Sequence, residues 1–202
     1  MRLNRFEKGL IAGILMVALF FLAPLSRTSY TGPEDLEPPV QVALVAPEWQ
    51  TLEEAGGSVE LEMVATYSVR AGVRSVRRYR WDASSRVSPV DLVLAWGTLN
   101  QPSVDRTIRY RQSGRWYFFS VEPDAPVSTS YISRHSANTH MIPADRQIAR
   151  KLSRIRRNDL VELNGYLVNV HFDEGTWRTS LRRDDTGAGA CEIFYVTGVL
   201  VH

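Results

Sequence analysis

Two polar segments in the C-terminal half of the chain carry more reactive side chains than a fold requires. They are residues 134–145, RHSANTHMIPAD, and residues 179–192, TSLRRDDTGAGACE. Imidazole, carboxylate and thiol groups serve as metal ligands, general bases and nucleophiles in proteins. The candidate site residues in these segments are His135, Asn138, His140, Asp184, Asp185 and Cys191.

The first segment has two histidines five residues apart, His135 and His140. Two imidazoles in a short loop can bind a metal, although this spacing matches neither a helical zinc pair nor a zinc finger. The alternative is a structural role, in which His and Asn138 side chains satisfy the backbone groups of a compact loop. We therefore take His135 and His140 as candidate metal ligands, and the sequence identifies no cofactor.

The second segment has two adjacent carboxylates, Asp184 and Asp185. They could bind a cation or work as an acid and a base. The alternating acidic ligands of an EF-hand are absent, and so is the Gly-Lys-Ser/Thr sequence of a phosphate-binding loop. The structural alternative is an Asp-rich loop between two strands. Asp184 is a candidate binding residue, together with His135 and Asn138.

Cys191 is the only cysteine, so the chain forms no internal disulfide. As a nucleophile it would need a histidine as base and an orienting group such as Asp185 or Asn138. Some exported cell-wall transpeptidases use a Cys-His pair, but Gly189-Ala190-Cys191 lacks the second histidine of their motif. The alternative is a small, buried apolar side chain. The catalytic candidates are His140, Asp185 and Cys191.

A third segment, SPVDLVLAWG at residues 88–97, precedes the other two. Together the three segments resemble those of a family of short bacterial proteins anchored by a single membrane span. The resemblance covers most of the chain after Val59. It implies a bacterial membrane anchor, and it brings no catalytic residues because no activity is assigned to that family.

The elements that must position these segments are mostly strands. Apolar and polar residues alternate from Val59 to Arg70, which is the period of a half-buried strand. Residues 106–121 predict a hairpin with a turn at Ser113-Gly114, and residues 160–172 predict a strand with a bulge or turn at Asn164-Gly165. A last strand is expected from Glu192 to Val201. Residues 41–56 are ambiguous, with one short strand ending near Pro47.

One amphipathic helix is predicted over residues 144–157, with Pro143 near its start. Ile148, Leu152 and Ile155 form an apolar stripe, and arginines occupy another face. Strands, one helix and more strands favour a mainly β or α+β domain. The last 45 residues are compatible with part of a small, OB-like barrel.

The N-terminus carries a 17-residue apolar run without charge, residues 9–25. Flanking residues let such a run complete a span of the ~30 Å hydrocarbon core. No small-x-small triplet follows it, which favours an uncleaved signal anchor over a cleaved signal peptide. Arg2, Arg5 and Lys8 precede the run, so the N-terminus is expected in the cytoplasm.

The sequence thus predicts an anchor at 1–25, a Pro-rich and acidic linker at 26–40, and an extracytoplasmic β-rich domain at 41–202. The expected localisation is the inner membrane, crossed once. The favoured function is non-catalytic binding of an envelope partner, either a protein or cell-wall material. The alternative is a Cys- or metal-dependent hydrolase or transferase. Nucleic acid is an unlikely partner for an exported domain.

Overall fold

The computed structural model of the chain describes residues 32, 35–54, 57–182 and 190–202. The predicted anchor at 1–25 and the candidates Asp184 and Asp185 lie outside the described residues. Among the residues that are described, no helix is long and apolar enough to cross a membrane.

The described residues are mainly β, as the sequence predicts. Three helices, α1 (Pro102–Asp105), α2 (Thr129–His135) and α3 (Arg146–Arg154), and two short 3-10 turns, Ala83–Arg86 and Gly97–Asn100, connect the strands. The strands are β1 (Val40–Glu54), β2 (Gly57–Arg78), β3 (Val90–Ala95), β4 (Ile108–Ser113), β5 (Trp116–Val121), β6 (Ser136–Pro143), β7 (Leu160–Phe172), β8 (Gly175–Trp177) and β9 (Glu192–Val201).

Five strands close into a ring in the order β2-β3-β6-β9-β7, because β7 pairs back onto β2. The β6–β9 pair is parallel and the other four pairs are antiparallel. Closure depends on the 22-residue length of β2, which pairs with β7 through residues 60–72 and with β3 through residues 72–78. β1 extends the sheet beside β2, and β8 extends it beside β7.

The ring encloses an apolar core. Alternate residues of β2, including Ala65, Tyr67 and Val69, are buried in it, which confirms the predicted period-two strand. The ring of Tyr67 meets that of Phe194 edge to face at 4.9 Å. Leu36, at the end of the predicted linker, also belongs to this core, and its carbonyl accepts a 2.8 Å hydrogen bond from the Gly97 amide.

The helix α3 closes one side of the core and confirms the predicted amphipathic helix in a shorter form. The Asp145 side chain caps its N-terminus by accepting bonds from the Gln147 and Ile148 amides. Ile148 and Leu152 are buried. Pro143 ends β6 instead of starting the helix, because the Asp145 cap sets the first turn two residues later.

Two other expectations about strands are corrected or refined by the structure. β1 continues through Pro47 to Glu54, and a register shift between Ala43 and Glu48 accommodates the proline in this edge strand. The predicted bulge in β7 is confirmed by a register shift between Asn164 and Gly165. Gly165 has a φ of +155°, and a Cβ there would lie 2.0 Å from the Tyr195 carbonyl oxygen.

The β4–β5 hairpin packs on the outside of the ring. Gly114 and Arg115 form its tip with φ of +57° and +71°, the signs that a type I′ turn requires. The turn therefore lies one residue beyond the predicted Ser113-Gly114. Ile108 and Tyr110 of the hairpin pack against Val93 on the outer face of β3.

Candidate functional site

The outer face of β3 and β6 holds a cluster of ionisable side chains, Asp82, Asp91, Arg115 and His140, which we call the ionic cluster. Asp91 and His140 are cross-strand partners in these two strands. The Nδ1 atom of His140 lies 3.0 Å from Oδ2 of Asp91, and both side chains are buried. The His140 ring packs against Trp177 at a centroid distance of 4.7 Å. His140 is thus held between a carboxylate and an indole.

Arg115 joins this cluster from the tip of the hairpin. Its guanidinium lies 2.7 Å from a carboxylate oxygen of Asp91 and 2.7 Å from one of Asp82. It also stacks on the Tyr79 ring at 3.8 Å. Burial raises the pKa of Asp82, but the hydrogen bond and charge of Arg115 outweigh burial and leave that pKa lowered. The ion pairs therefore fix the hairpin on the barrel.

His135 has different contacts from His140. Its Nδ1 atom lies 2.9 Å from the Tyr131 carbonyl oxygen, and its ring stacks on that of Tyr131 at 3.8 Å. The segment from His135 to His140 is a helix end followed by a strand, so the expectation of a compact loop is wrong. Within the described ranges, no three His, Cys, Asp or Glu side chains group closely enough to hold a metal ion.

Asn138 and Cys191 are brought together. The Nδ2 atom of Asn138 lies 3.7 Å from Sγ of Cys191 and donates a 3.0 Å bond to the Arg115 carbonyl. Gln112 of the hairpin donates to the Asn138 Oδ1 atom at 2.7 Å. The described parts of the two polar segments therefore lie side by side. Strand pairing brings them there, since the parallel register of β6 and β9 begins at Thr139 and Glu192.

A cavity of about 310 Å³ opens beside Cys191. Its walls come from β5, the end of α2, the start of β6 and the residues just before and in β9. The lining residues are Trp96, Trp116, Tyr117, Phe118, Phe119, Ser133, Arg134, Ser136, Ala137, Arg182, Ala190, Cys191 and Glu192. We call this cavity the hairpin pocket.

The hairpin pocket combines an aromatic surface with charge. Trp116 and Phe118 are alternate residues of β5, and they remain 43% and 56% exposed. Arg134 and Arg182 are exposed as well, whereas Glu192 is buried. Burial raises the pKa of the Tyr117 hydroxyl, whose oxygen lies 3.3 Å from the Ser136 hydroxyl, so Tyr117 stays neutral at physiological pH. The volume of the hairpin pocket lies near the lower end of the 300–1,000 Å³ range of small-ligand sites.

Sequence reasoning named Cys191 and Asn138 as candidate site residues but missed the hairpin aromatics. The available signal was the run Trp116 to Phe119, in which large apolar residues fall on both faces of a hairpin arm. In a two-stranded sheet one of those faces can stay open to solvent, and here Trp116 and Phe118 lie exposed on it.

Comparisons with known proteins add nothing to this geometry. No family model matches the chain, and no curated protein or solved structure is detectably similar to it.

Proposed function

We propose that the domain is an OB-like barrel that binds cell-wall material without catalysis, held outside the cytoplasm by the N-terminal anchor. The order of the five ring strands supports the OB-like assignment. Numbered along the chain, they pair as 1-2-3-5-4, with strands 3 and 5 parallel and α3 between strands 3 and 4. OB barrels bind oligosaccharides and oligonucleotides on the face of strands 2 and 3 and at the loops that join strands 1 and 2 and strands 4 and 5.

The observation that carries the proposal is the hairpin pocket. It adjoins the start of β6, the third ring strand, and includes Arg182 and Ala190 from the connection between the fourth and fifth strands. That is the region where OB barrels bind their ligands. The exposed aromatic side chains there, Trp116 and Phe118, offer apolar rings on which a sugar or an apolar side chain can pack.

The size of the pocket suits a small group. At about 310 Å³, the hairpin pocket accommodates a single sugar ring or one large side chain. Of the two envelope partners, we propose cell-wall material, because OB barrels bind oligosaccharides.

The alternative of a Cys-dependent hydrolase or transferase rests on Cys191, which lines the same pocket. The Nδ2 atom of Asn138 lies 3.7 Å from the Cys191 sulfur, while His140 faces Asp91 in the ionic cluster. A nucleophilic cysteine needs a base within hydrogen-bond reach. The contacts of His140 therefore favour binding over catalysis.

Co-sedimentation with purified peptidoglycan sacculi tests the proposal. The full-length protein, solubilised in detergent, is expected to sediment with sacculi. Trp116→Ala combined with Phe118→Ala should abolish sedimentation, because these side chains form the open wall of the pocket. Trp81→Ala is the matched control, since Trp81 is 95% exposed and lies outside the pocket.

Two results would overturn the proposal. One is sedimentation that the pocket variant and the Trp81→Ala control lose equally, or that does not occur at all. The other is release of soluble fragments by the wild-type protein that stops in Cys191→Ser, which would establish the enzyme.

The proposed topology has its own test. A periplasmic reporter fused after Val40 should be active, and a cytoplasmic reporter fused there should be inactive, because the basic residues precede the apolar run. The opposite pattern would place the domain in the cytoplasm.

A further inference from the structure

We infer that the hairpin pocket recognises a carboxylate attached to an apolar or sugar group, with Arg134 and Arg182 binding the carboxylate. This inference rests on the proposed function and specifies the part of the cell wall that the domain binds.

Arg134 is placed to present its guanidinium at the pocket. It lies in the last turn of α2, and its side chain is exposed while lining the cavity. One nitrogen, Nη1, donates a 2.7 Å bond to the Ser130 hydroxyl one turn earlier. A guanidinium has five N–H donors, so this bond orients the group and leaves donors for a ligand.

Arg182 lines the pocket from the other side. It follows β8, and its amide bonds to the Ser180 hydroxyl at 3.0 Å. The Ser180 amide in turn bonds to the Cys191 carbonyl at 3.1 Å, which ties this part of the chain to the pocket wall. Two arginines from separate segments therefore flank one cavity.

The exposure of the two arginines indicates where an anion can bind. Glu192 is 3% exposed, whereas Arg134 and Arg182 are exposed. A ligand carboxylate should be attracted to the exposed guanidinium groups, at the entrance of the pocket. The ligand should thus bind with its carboxylate at the entrance and its apolar or sugar part against Trp116 and Phe118.

Peptidoglycan offers this chemistry from two sources. One is the lactyl carboxylate of N-acetylmuramic acid, and the other is the C-terminal carboxylate of a stem peptide. Each source has a matched probe without the carboxylate, namely N-acetylglucosamine and the C-terminal amide of the same peptide.

The test measures the affinity of the full-length protein in detergent for these four probes by isothermal titration calorimetry. For at least one source the carboxylate probe should bind about 10-fold tighter or more than its matched partner, as expected for a charge-assisted hydrogen bond. The pair that shows the difference identifies the source.

Arg134→Gln and Arg182→Gln should each abolish that difference, and Arg150→Gln, on the exposed face of α3, should leave it intact. Equal affinities within both pairs would overturn the inference, as would an unchanged preference in both pocket variants. If sacculus binding still requires Trp116 and Phe118 in that case, the proposed function stands and only the inference of carboxylate recognition is wrong.

Discussion

The two faces of β3 and β6 differ in the side chains they carry, because the ion pairs lie on the outer face alone. Toward the inside of the ring, Leu92, Leu94 and Met141 join the apolar core. Toward the outside, Asp91 and His140 belong to the ionic cluster that holds the hairpin. The inner face stabilises the barrel, and the outer face positions the hairpin on which the pocket depends.

The difference matters because substitutions on the two faces destabilise the protein for different physical reasons. Loss of an inner side chain leaves a cavity, whose cost grows with its volume. Loss of the Asp91 carboxylate leaves Arg115, which is largely buried, with Asp82 as its remaining ion-pair partner. Removing one partner of a largely buried ion pair costs more than the pair itself contributes. Substitutions on the two faces therefore separate barrel stability from hairpin attachment.

The largest effect is expected for Gly165→Ala in the wall of the ring. The new Cβ would meet the Tyr195 carbonyl oxygen at 2.0 Å, so β7 and β9 must separate. We expect a loss of more than about 5 kcal/mol or failure to fold. Gly114→Ala is the control, because its position also has a positive φ but nothing lies within 4 Å. Urea denaturation followed by circular dichroism measures both, and similar losses would show that the bulge tolerates a side chain.

Asp91→Ala comes next and tests the outer face. It removes the carboxylate shared by Arg115 and His140, and the free energy of unfolding should fall by about 4 kcal/mol. Adding Arg115→Met should recover part of this loss, since the buried charge is then gone. Chemical denaturation of the single and double variants gives the coupling energy. Strictly additive losses would mean that the two residues do not interact.

Leu152→Ala tests the inner face. Leu152 is 1% exposed in the core beneath α3, so truncation should cost about 3 kcal/mol. Leu152→Ala should leave ligand affinity unchanged. Asp91→Ala, by contrast, should weaken ligand affinity because it loosens the hairpin. A destabilisation below about 0.5 kcal/mol would mean that the stripe is not buried.

The smallest effect concerns Glu62, which lies in β2 opposite Asn169 of β7. Hydrogen bonds from Asn169 at 2.9 Å and His171 at 3.0 Å lower the pKa of Glu62 from its ordinary value of 4.5. A lowered folded pKa stabilises the protein above the unfolded value, and this contribution disappears as pH falls through the folded pKa. Glu62→Gln should therefore cost less than about 1 kcal/mol at neutral pH. Stability measured from pH 6 to pH 3 should fall less steeply in Glu62→Gln, and parallel curves would exclude this role.

Part of the apolar core was predictable from the sequence, and the outer face of β3 and β6 was not. Period-two alternation in residues 59–70 and the stripe of Ile148 and Leu152 indicate buried faces of β2 and α3 directly. The Asn164-Gly165 pair likewise indicates the bulge. On the outer face, Asn138 and His140 are polar, which suggested a loop. That face is covered by the hairpin, whose tip lies more than twenty residues earlier in the chain, and by Trp177.

The pocket was beyond sequence reasoning for a related reason. Its walls include Trp116, Arg134 and Cys191, which are far apart in the chain. The parallel pairing of β6 with β9 and the anchoring of the hairpin by Arg115 bring them together. Local patterns do not encode such pairings, although they named Cys191 and Asn138 separately as candidate site residues.

Fluorine NMR of the full-length protein labelled with 5-fluorotryptophan tests the pocket most directly. The chain has five tryptophans, and Trp96 and Trp116 line the pocket while Trp49, Trp81 and Trp177 do not. Titration with soluble peptidoglycan fragments should shift the resonances of Trp96 and Trp116 and leave those of Trp49 and Trp81 in place. Unchanged Trp96 and Trp116 resonances at saturating fragment, or shifts confined to Trp49 and Trp81, would contradict the account.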